Sequence, residues 1–286
     1  MNEQDWSLLH ILNEEKNITR AAQRLYISQP ALTYRLNHLE KEFGTKLVLR
    51  EKKGLEFTPE GEHLLQYAKK MIHELQKTKD EVLNMGEHIN GNLRLGTSGH
   101  FALYRLPDIL KDFLRQYSQV QLNVHTGLSS EIMSLMEQSE VHLGIVRGEI
   151  LWQGKKHLLS EENLCVISKE PLQLKELVRL PMISYTTDIS LKHTIDSWWK
   201  QEFNQPPFVM MQVDRIETCK EMVKNGLGFA IIPRIGLRAS DPLYAQDINA
   251  KSRKTWLIYD ERALKLSVVQ VFADFIRSYF HHPDDS

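Results

Sequence analysis

The chain has 286 residues, 36 of them Lys or Arg against 37 Asp or Glu, and 42% of it is hydrophobic. It is too long for one ordinary domain of about 100–200 residues, too balanced for a wholly basic nucleic-acid binder, and too apolar for a disordered chain. Its longest run without a charged residue, Gln116–Ser130, is mostly polar, whereas a spanning helix needs about 20 apolar residues. The start, Met1-Asn2-Glu3-Gln4-Asp5, is acidic and lacks an apolar core, so no secretory signal is read and Asn17-Ile18-Thr19 is an idle glycosylation match. Cys165 and Cys219 stand far apart, in no metal-type spacing, which suits a reducing compartment. The expectation is a cytoplasmic protein with no membrane association, bound metal or cofactor.

Charge is unevenly spread. From Lys16 through Lys53 there are nine basic residues and three acids (Glu40, Glu42, Glu51), a local +6 within a chain whose net charge is −1. Such a surplus marks either a nucleic-acid-binding module or a solvated helical surface, and charge alone does not separate them. The residue pattern does. Leu8, Ile11 and Leu12 recur at helical spacing behind Trp6. A second helix opens with Thr19 as its cap and brings Ala21 and Ala22 for close contact. After the short link Tyr26-Ile27, Ser28 caps a third helix with Pro30 in its first turn. Leu32, Leu36, Leu39 and Phe43 fall on one face of that helix, and Pro30, Thr33, Tyr34, Asn37 and Lys41 on the other. An apolar back and a hydrogen-bonding front after a tight turn read as helix-turn-helix, with the front in the major groove.

Gly44 ends the helix, and Leu47-Val48-Leu49 and Leu55-Glu56-Phe57 read as two short strands. The turn between them, Glu51-Lys52-Lys53-Gly54, makes a basic wing suited to backbone phosphate. Thr58-Pro59 opens a long helix on which Leu64, Ala68, Met71, Leu75 and Val82 keep the four-three spacing of a coiled-coil seam, Thr78 interrupting. From Pro59 to about His88 it would span ~45 Å. It could be one core helix of a globular domain, but beside so small a domain a dimerisation arm is the more economical reading.

The run Asn17-Ile18-Thr19-Arg20-Ala21-Ala22-Gln23-Arg24-Leu25-Tyr26-Ile27-Ser28-Gln29-Pro30-Ala31-Leu32 closely resembles the winged helix-turn-helix of LysR-type transcriptional regulators. Leu39-Glu40, Gly44, Leu47, Arg50 and Thr58-Pro59-Glu60-Gly61 continue the likeness in register. In that family the positions of Gln29, Pro30 and Thr33 face DNA, and the position of Tyr34 is often basic or amidic, a pattern from which Tyr34 departs. The DNA-facing set is then Arg20, Ser28, Gln29, Pro30, Thr33, Tyr34 and Asn37, with Arg50, Lys52 and Lys53 in the wing. The resemblance also implies double-stranded promoter DNA as partner, a dimer through the long helix, a tetramer built from dimers, and contact with RNA polymerase.

Asn90-Gly91-Asn92 breaks the long helix. Beyond it strands and helices alternate. Leu93–Thr97, Val120–Val124 and Val141–Val146 read as strands, with helices at Leu106–Tyr117 and Ser129–Glu137. The order repeats: a strand at Met182–Tyr185, a helix holding Trp198-Trp199, a strand at Phe208–Val213, a helix from Glu217 and a strand at Phe229–Ile232. A last helix, Ser267–Phe280, crosses back to the first half. This alternation predicts an α/β domain of two subdomains. LysR-type regulators have this arrangement, which resembles periplasmic solute-binding proteins with a ligand in the cleft. The expected plan is an α-rich winged helix-turn-helix domain at 1–58, a linker helix at 59–89 and an effector-binding domain at 90–286, whose subdomain I takes 90–161 and 267–286 and subdomain II 162–266.

Helix starts that face such a cleft offer unpaired N–H groups suited to an anion. Three occur: Thr97-Ser98-Gly99-His100, Gly127-Leu128-Ser129-Ser130 and Tyr185-Thr186-Thr187. Singly each could be a helix cap; together they favour a ligand site. Arg147, after an apolar strand, either clamps a carboxylate or closes a salt bridge with Glu149 or another acid. Gly144-Ile145-Val146-Arg147-Gly148 and Val213-Asp214-Arg215-Ile216-Glu217-Thr218-Cys219-Lys220 resemble strings of the citrate-sensing catabolite control proteins. That likeness implies a tricarboxylate effector held by Arg147 and the hydroxyls of Ser98, Ser129 and Ser130. Citrate carries about three negative charges and so calls for a second cation, Arg253 or Arg262. His100, Tyr185 and Thr186 complete the expected effector set.

Enzyme readings fail on chemistry. His73-Glu74 lacks a second histidine, Gly226-Leu227-Gly228 lacks a third glycine, and Gly154-Lys155-Lys156 lacks the hydroxyl residue of a phosphate loop. No Gly-x-Ser-x-Gly turn occurs, and both cysteines lie in apolar or helical runs where thiols are inert. The reading is a one-component transcription factor. Its alternatives are the same class with another effector and regulon, or a cytoplasmic solute-binding protein, which the basic first ninety residues argue against.

Overall fold

The computed structural model describes residues 1–51, 54–83 and 89–281, in two compact units, Met1–Met85 and Gly86–Ser286. In the first unit α1 (Glu3–Glu15), α2 (Ile18–Arg24) and α3 (Gln29–Phe43) precede the strands β1 (Val48–Glu51) and β2 (Gly54–Phe57) and the helix α4 (Pro59–Leu83). Each helix start has a short polar side chain for its exposed N–H groups. Asn2 and Asp5 form a reciprocal box on α1, Ser28 caps α3 with Pro30 in the first turn, and Thr58 Oγ1 accepts from Gly61 N at 3.0 Å. The cap of α2 is Asn17, not Thr19: its Oδ1 accepts from Arg20 N at 3.0 Å, which places Thr19 inside the helix.

Leu8, Leu9, Leu12, Ala21, Ala22, Leu32, Leu36 and Leu39 build the core with Leu47, Val48, Leu55, Leu64, Leu65 and Ala68. Phe43, expected on the same apolar face, is 45% exposed, because α3 ends beside it on Gly44 at φ +68°. β1 and β2 pair antiparallel from Val48↔Phe57 to Glu51↔Gly54; Lys52 and Lys53 at the tip lie outside the described residues. Gly61 allows α4 to approach β1, since a Cβ there would collide with the Leu47 carbonyl. The expected seam of α4 divides. Leu64 and Ala68 are occupied in this unit's own core, whereas Met71 and Leu75 are half-buried and Val82 is exposed.

The second unit runs β3 (Gly91–Ser98), α5 (Gly99–Tyr104), α6 (Leu106–Gln116), β4 (Val120–Gly127), α7 (Ser129–Glu137), β5 (Leu143–Arg147), β6 (Lys155–Glu162) and β7 (Leu164–Ser168). Then follow β8 (Met182–Tyr185), α8 (Ile189–Glu202), β9 (Val209–Val213), α9 (Ile216–Lys224), β10 (Ala230–Pro233), β11 (Tyr244–Asp247), β12 (Arg253–Tyr259) and α10 (Ser267–His281). One sheet has the order β4-β3-β5-β12-β6. Its first three strands are parallel and β12 is antiparallel to both neighbours. A second set, β10-β7-β11, is antiparallel, and the parallel pair β8-β9 joins it through the bridge Met182↔Phe229.

Each sheet has its own core. Phe101, Phe113, Leu93, Leu95, Ile145 and Leu257 pack with Val268, Phe272 and Ile276 of α10, which thus returns to the first sheet. Ile167, Ile183, Trp198, Trp199, Phe229 and Ile231 pack around the second. The chain passes from the first sheet to the second between β6 and β7, where Asn163 alone separates them, and returns through residues 248–252. Cys165 and Cys219 are buried, and burial pushes both thiols up to about 12. Among the described residues no helix is long and apolar enough to cross a membrane.

Candidate functional site

The first candidate surface is the front of α3. With Leu32, Leu36 and Leu39 facing inward, Gln29, Pro30, Tyr34 and Asn37 are left exposed and Thr33 half-buried. Thr33 Oγ1 is enclosed without a hydrogen-bond partner. Ser28 is exposed, but its hydroxyl accepts from Ala31 N at 3.3 Å, so its acceptor serves the helix. The basic surplus is narrower than the sequence count, because Glu14 and Glu15 lie just ahead of the counted segment. Arg24 pairs with both, at 2.7 and 3.1 Å, and Arg20 donates to the Glu15 carbonyl at 2.8 Å. Arg35 is held by Asp5 at 2.6 Å and Lys46 by Glu40. The Arg50 backbone pairs with Leu55 in the wing.

The second candidate lies in the other unit, where strand ends of both sheets meet. Arg147, the last residue of β5, is 2% exposed. Ser129 fastens its backbone: the Ser129 hydroxyl accepts from Arg147 N at 2.9 Å and donates to Arg147 O at 3.1 Å. The Arg147 guanidinium makes an ion pair with Glu162, the last residue of β6, and lies 3.3 Å from His100 Nδ1. An arginine only donates, so Nδ1 accepts and the imidazole proton sits on Nε2. Arg253, the first residue of β12, is 6% exposed and pairs with Asp188, whose other oxygen accepts from Leu191 N at 2.9 Å at the start of α8. Ser98 Oγ, Tyr185 Oη, Thr255 Oγ1 and the Nε atoms of both arginines are buried without hydrogen-bond partners.

Two guanidiniums in one dry place repel each other. Burial, then the charge of Arg253, pulls Arg147 down to about 9, against the opposing influence of Tyr185 and Asp188. Burial, then Arg147 and Arg253, holds His100 down at about 4, so its ring is neutral at pH 7. Burial pushes the Tyr185 phenol up. The arrangement has two buried cations, each facing one internal carboxylate and keeping an unpartnered Nε, with hydroxyls without partners beside them. The adjoining cavity, bounded by Gly148, Ser190, Thr194 and Arg253, holds about 10 Å³, room for about one water. A depression of about 670 Å³ between α6 and α10 is lined by Asp112, Arg115 and Phe275 and does not adjoin these side chains.

Of the expected effector residues, His100, Arg147, Tyr185 and Arg253 come within electrostatic reach of one another, with Ser98 and Ser129 at the same strand ends. Ser130 and Thr186 are exposed. Arg262 is exposed and pairs with Asp260 at 3.6 Å, outside the cluster. Arg147 does not pair with Glu149, which faces solvent and binds Lys251 at 3.0 Å. The carboxylates that matter, Glu162 and Asp188, escaped the sequence reading because neither sits in a motif. Only their places, Glu162 at the end of β6 and Asp188 as the cap of α8, could have signalled them.

Comparison with known proteins gives a consistent result. The family described as "LysR substrate binding domain" matches residues 86–281, and "Bacterial regulatory helix-turn-helix protein, lysR family" matches residues 4–62. The uncharacterized HTH-type transcriptional regulator YraN of Bacillus subtilis (strain 168) is 46% identical over 282 residues, covering 97% of this chain and 98% of the relative. YkuM of the same organism is 34% identical over 284 residues, covering 97% of each. Among solved structures, full-length CbnR complexed with its target DNA matches with a TM-score of 0.73 at 18% identity, over 97% of this chain and 99% of that one. The Vibrio cholerae virulence activator AphB matches at 0.66 and 15%, over 98% and 100%. At such identities the two structures speak for the fold.

Proposed function

Since this chain belongs to the LysR family of DNA-binding transcriptional regulators, we propose that the front of α3 reads promoter DNA while Arg147 and Arg253 read a small anionic effector. We assign residues 1–58 to DNA binding, 59–89 to the linker and dimerisation helix, and 90–286 to effector binding, with subdomains 90–161 plus 267–286 and 162–266. Gln29, Pro30, Thr33, Tyr34 and Asn37 are the base-edge candidates. Arg20, Ser28, Arg50, Lys52 and Lys53 serve position and backbone. The half-exposed distal seam of α4, Met71 through Val82, joins two chains, and two such dimers form a tetramer that presents paired half-sites.

One observation carries the effector reading: two buried guanidiniums converge from β5 and β12, each with one internal carboxylate, beside hydroxyls without partners. Arg253 belongs to the first sheet, and Asp188 caps α8, which packs in the second core. A polycarboxylate taking Arg253 from Asp188, and Arg147 from Glu162, would favour a different arrangement of the two sheets. That difference in affinity is what lets a ligand act on DNA binding. Citrate is the effector of choice, since two arginines and the hydroxyls of Ser98 and Tyr185 match several carboxylates, and the regulon would then be central carbon metabolism. The test is thermal-shift and calorimetric titration of the full chain with citrate, isocitrate and monocarboxylates. Selective stabilisation by the tricarboxylates that is lost in Arg253→Gln is expected. A flat response to all polycarboxylates would sink the effector assignment and leave the DNA-binding class untouched.

A further inference from the structure

In the turn between α2 and α3, folding accounts for the backbone of one residue and leaves its side chain unexplained. Ile27 N donates to Ala22 O at 3.0 Å and Tyr26 N to Gln23 O at 3.1 Å, the two bonds that stop a helix by turning one residue left-handed. That residue is Tyr26, at φ +55°. Glycine is the usual occupant of such a position because a Cβ is unfavourable there, and α3 of the same unit stops on Gly44. Tyr26 brings a large ring instead, and the ring packs against nothing: it is 96% exposed. Neither the turn nor the core asks for tyrosine.

In a helix-turn-helix the first helix crosses the DNA backbone and the second enters the groove by its N-terminal residues. The turn joining them therefore stands at the groove's edge, over sugar and phosphate. We propose that Tyr26 is a DNA-contacting residue whose ring lies against deoxyribose and whose hydroxyl donates to a backbone phosphate, strengthening binding to every sequence alike. Tyrosine hydroxyls are recognised phosphate donors. Being neutral, a phenol displaces no counterion, so its contribution does not appear in the salt dependence. The inference rests on reading α3 as the recognition helix.

The test uses the full chain, a duplex it selects from a random pool, and a scrambled duplex of equal length, with salt titrations on both. Tyr26→Gly should melt no lower than the parent and bind both duplexes about tenfold more weakly, with an unchanged salt slope. Tyr26→Phe should reproduce most of that loss. Parent-like binding by Tyr26→Gly, a loss confined to the selected duplex, or a flattened salt slope would each overturn the phosphate contact. Gln29→Ala separates this from its premise. If it weakens only the selected duplex, the recognition helix stands and Tyr26 is judged alone; if it weakens both equally, the helix placement fails and Tyr26 with it.

Discussion

Two polar regions of this chain stand in opposite relation to solvent. Along α3, Gln29, Tyr34 and Asn37 project from a helix whose back buries Leu32, Leu36 and Leu39, and the fold does not depend on them. At the ends of β5 and β12, Arg147 and Arg253 are buried and are held by Glu162 and Asp188. The difference teaches how each region reaches its partner. An exposed polar row meets its partner by addition, with little change in the protein. A buried, internally paired cation must exchange one partner for another, so binding there is tied to stability and to conformation.

The largest effect should come from Glu162→Ala, which strands the Arg147 charge in a dry interior. Breaking one side of such a pair costs about 3–5 kcal/mol, read as a fall in the melting temperature of the second unit; a loss below about 1 kcal/mol would mean that Arg147 is effectively solvated. Next comes acid sensitivity. The folded His100 imidazole titrates at about 4 against an ordinary 6.5, so unfolding takes up a proton between those values. Stability is then full above pH 6.5 and falls toward pH 4, by about 3 kcal/mol in all. His100→Asn should remove that component, and parallel stability curves for variant and parent between pH 7 and 4.5 would refute it.

On the exposed side the scale is smaller and appears in binding rather than folding. Gln29→Ala and Thr33→Ala should each cost about 1–3 kcal/mol on the preferred duplex and far less on unrelated DNA, with unchanged melting. Smallest of all, Arg20→Ala should shift stability by less than about 1 kcal/mol, since its tie to Glu15 is solvent-exposed. If Arg20→Ala destabilises as much as Glu162→Ala, the contrast between the open and the closed region is void.

The same contrast explains what could be read from the residues. Ser28, Pro30, the Leu32-Leu36-Leu39 stripe and Gly44 act within one turn of their own positions, so α3 and its exposed front were legible to the residue at both ends. α7 and β8 were legible for the same reason, as apolar runs between turn signals. β6 was missed because Lys155–Glu162 has four charged residues among eight and is ordered by its pairing with β12, a partner ninety residues away. β11, with every residue exposed, gives no alternation at all. The ion pairs Arg147–Glu162 and Arg253–Asp188 are likewise products of topology. Asn17 displaces Thr19 as a cap because two eligible residues stand two apart, and Glu14 and Glu15 neutralise Arg24 from just outside the basic segment.

The single residue between β6 and β7 has a mechanical meaning. Asn163 contributes one φ and one ψ and no slack, while Glu162 before it is clamped to Arg147 and to Ile235 N at 2.6 Å. A connection that short can twist but cannot lengthen. Whatever an effector does to the two lobes is therefore a pivot about Asn163, with the five residues 248–252 as the second strap, and the Arg253–Asp188 pair, which ties the first residue of β12 to the cap of α8, is the contact such a pivot loads.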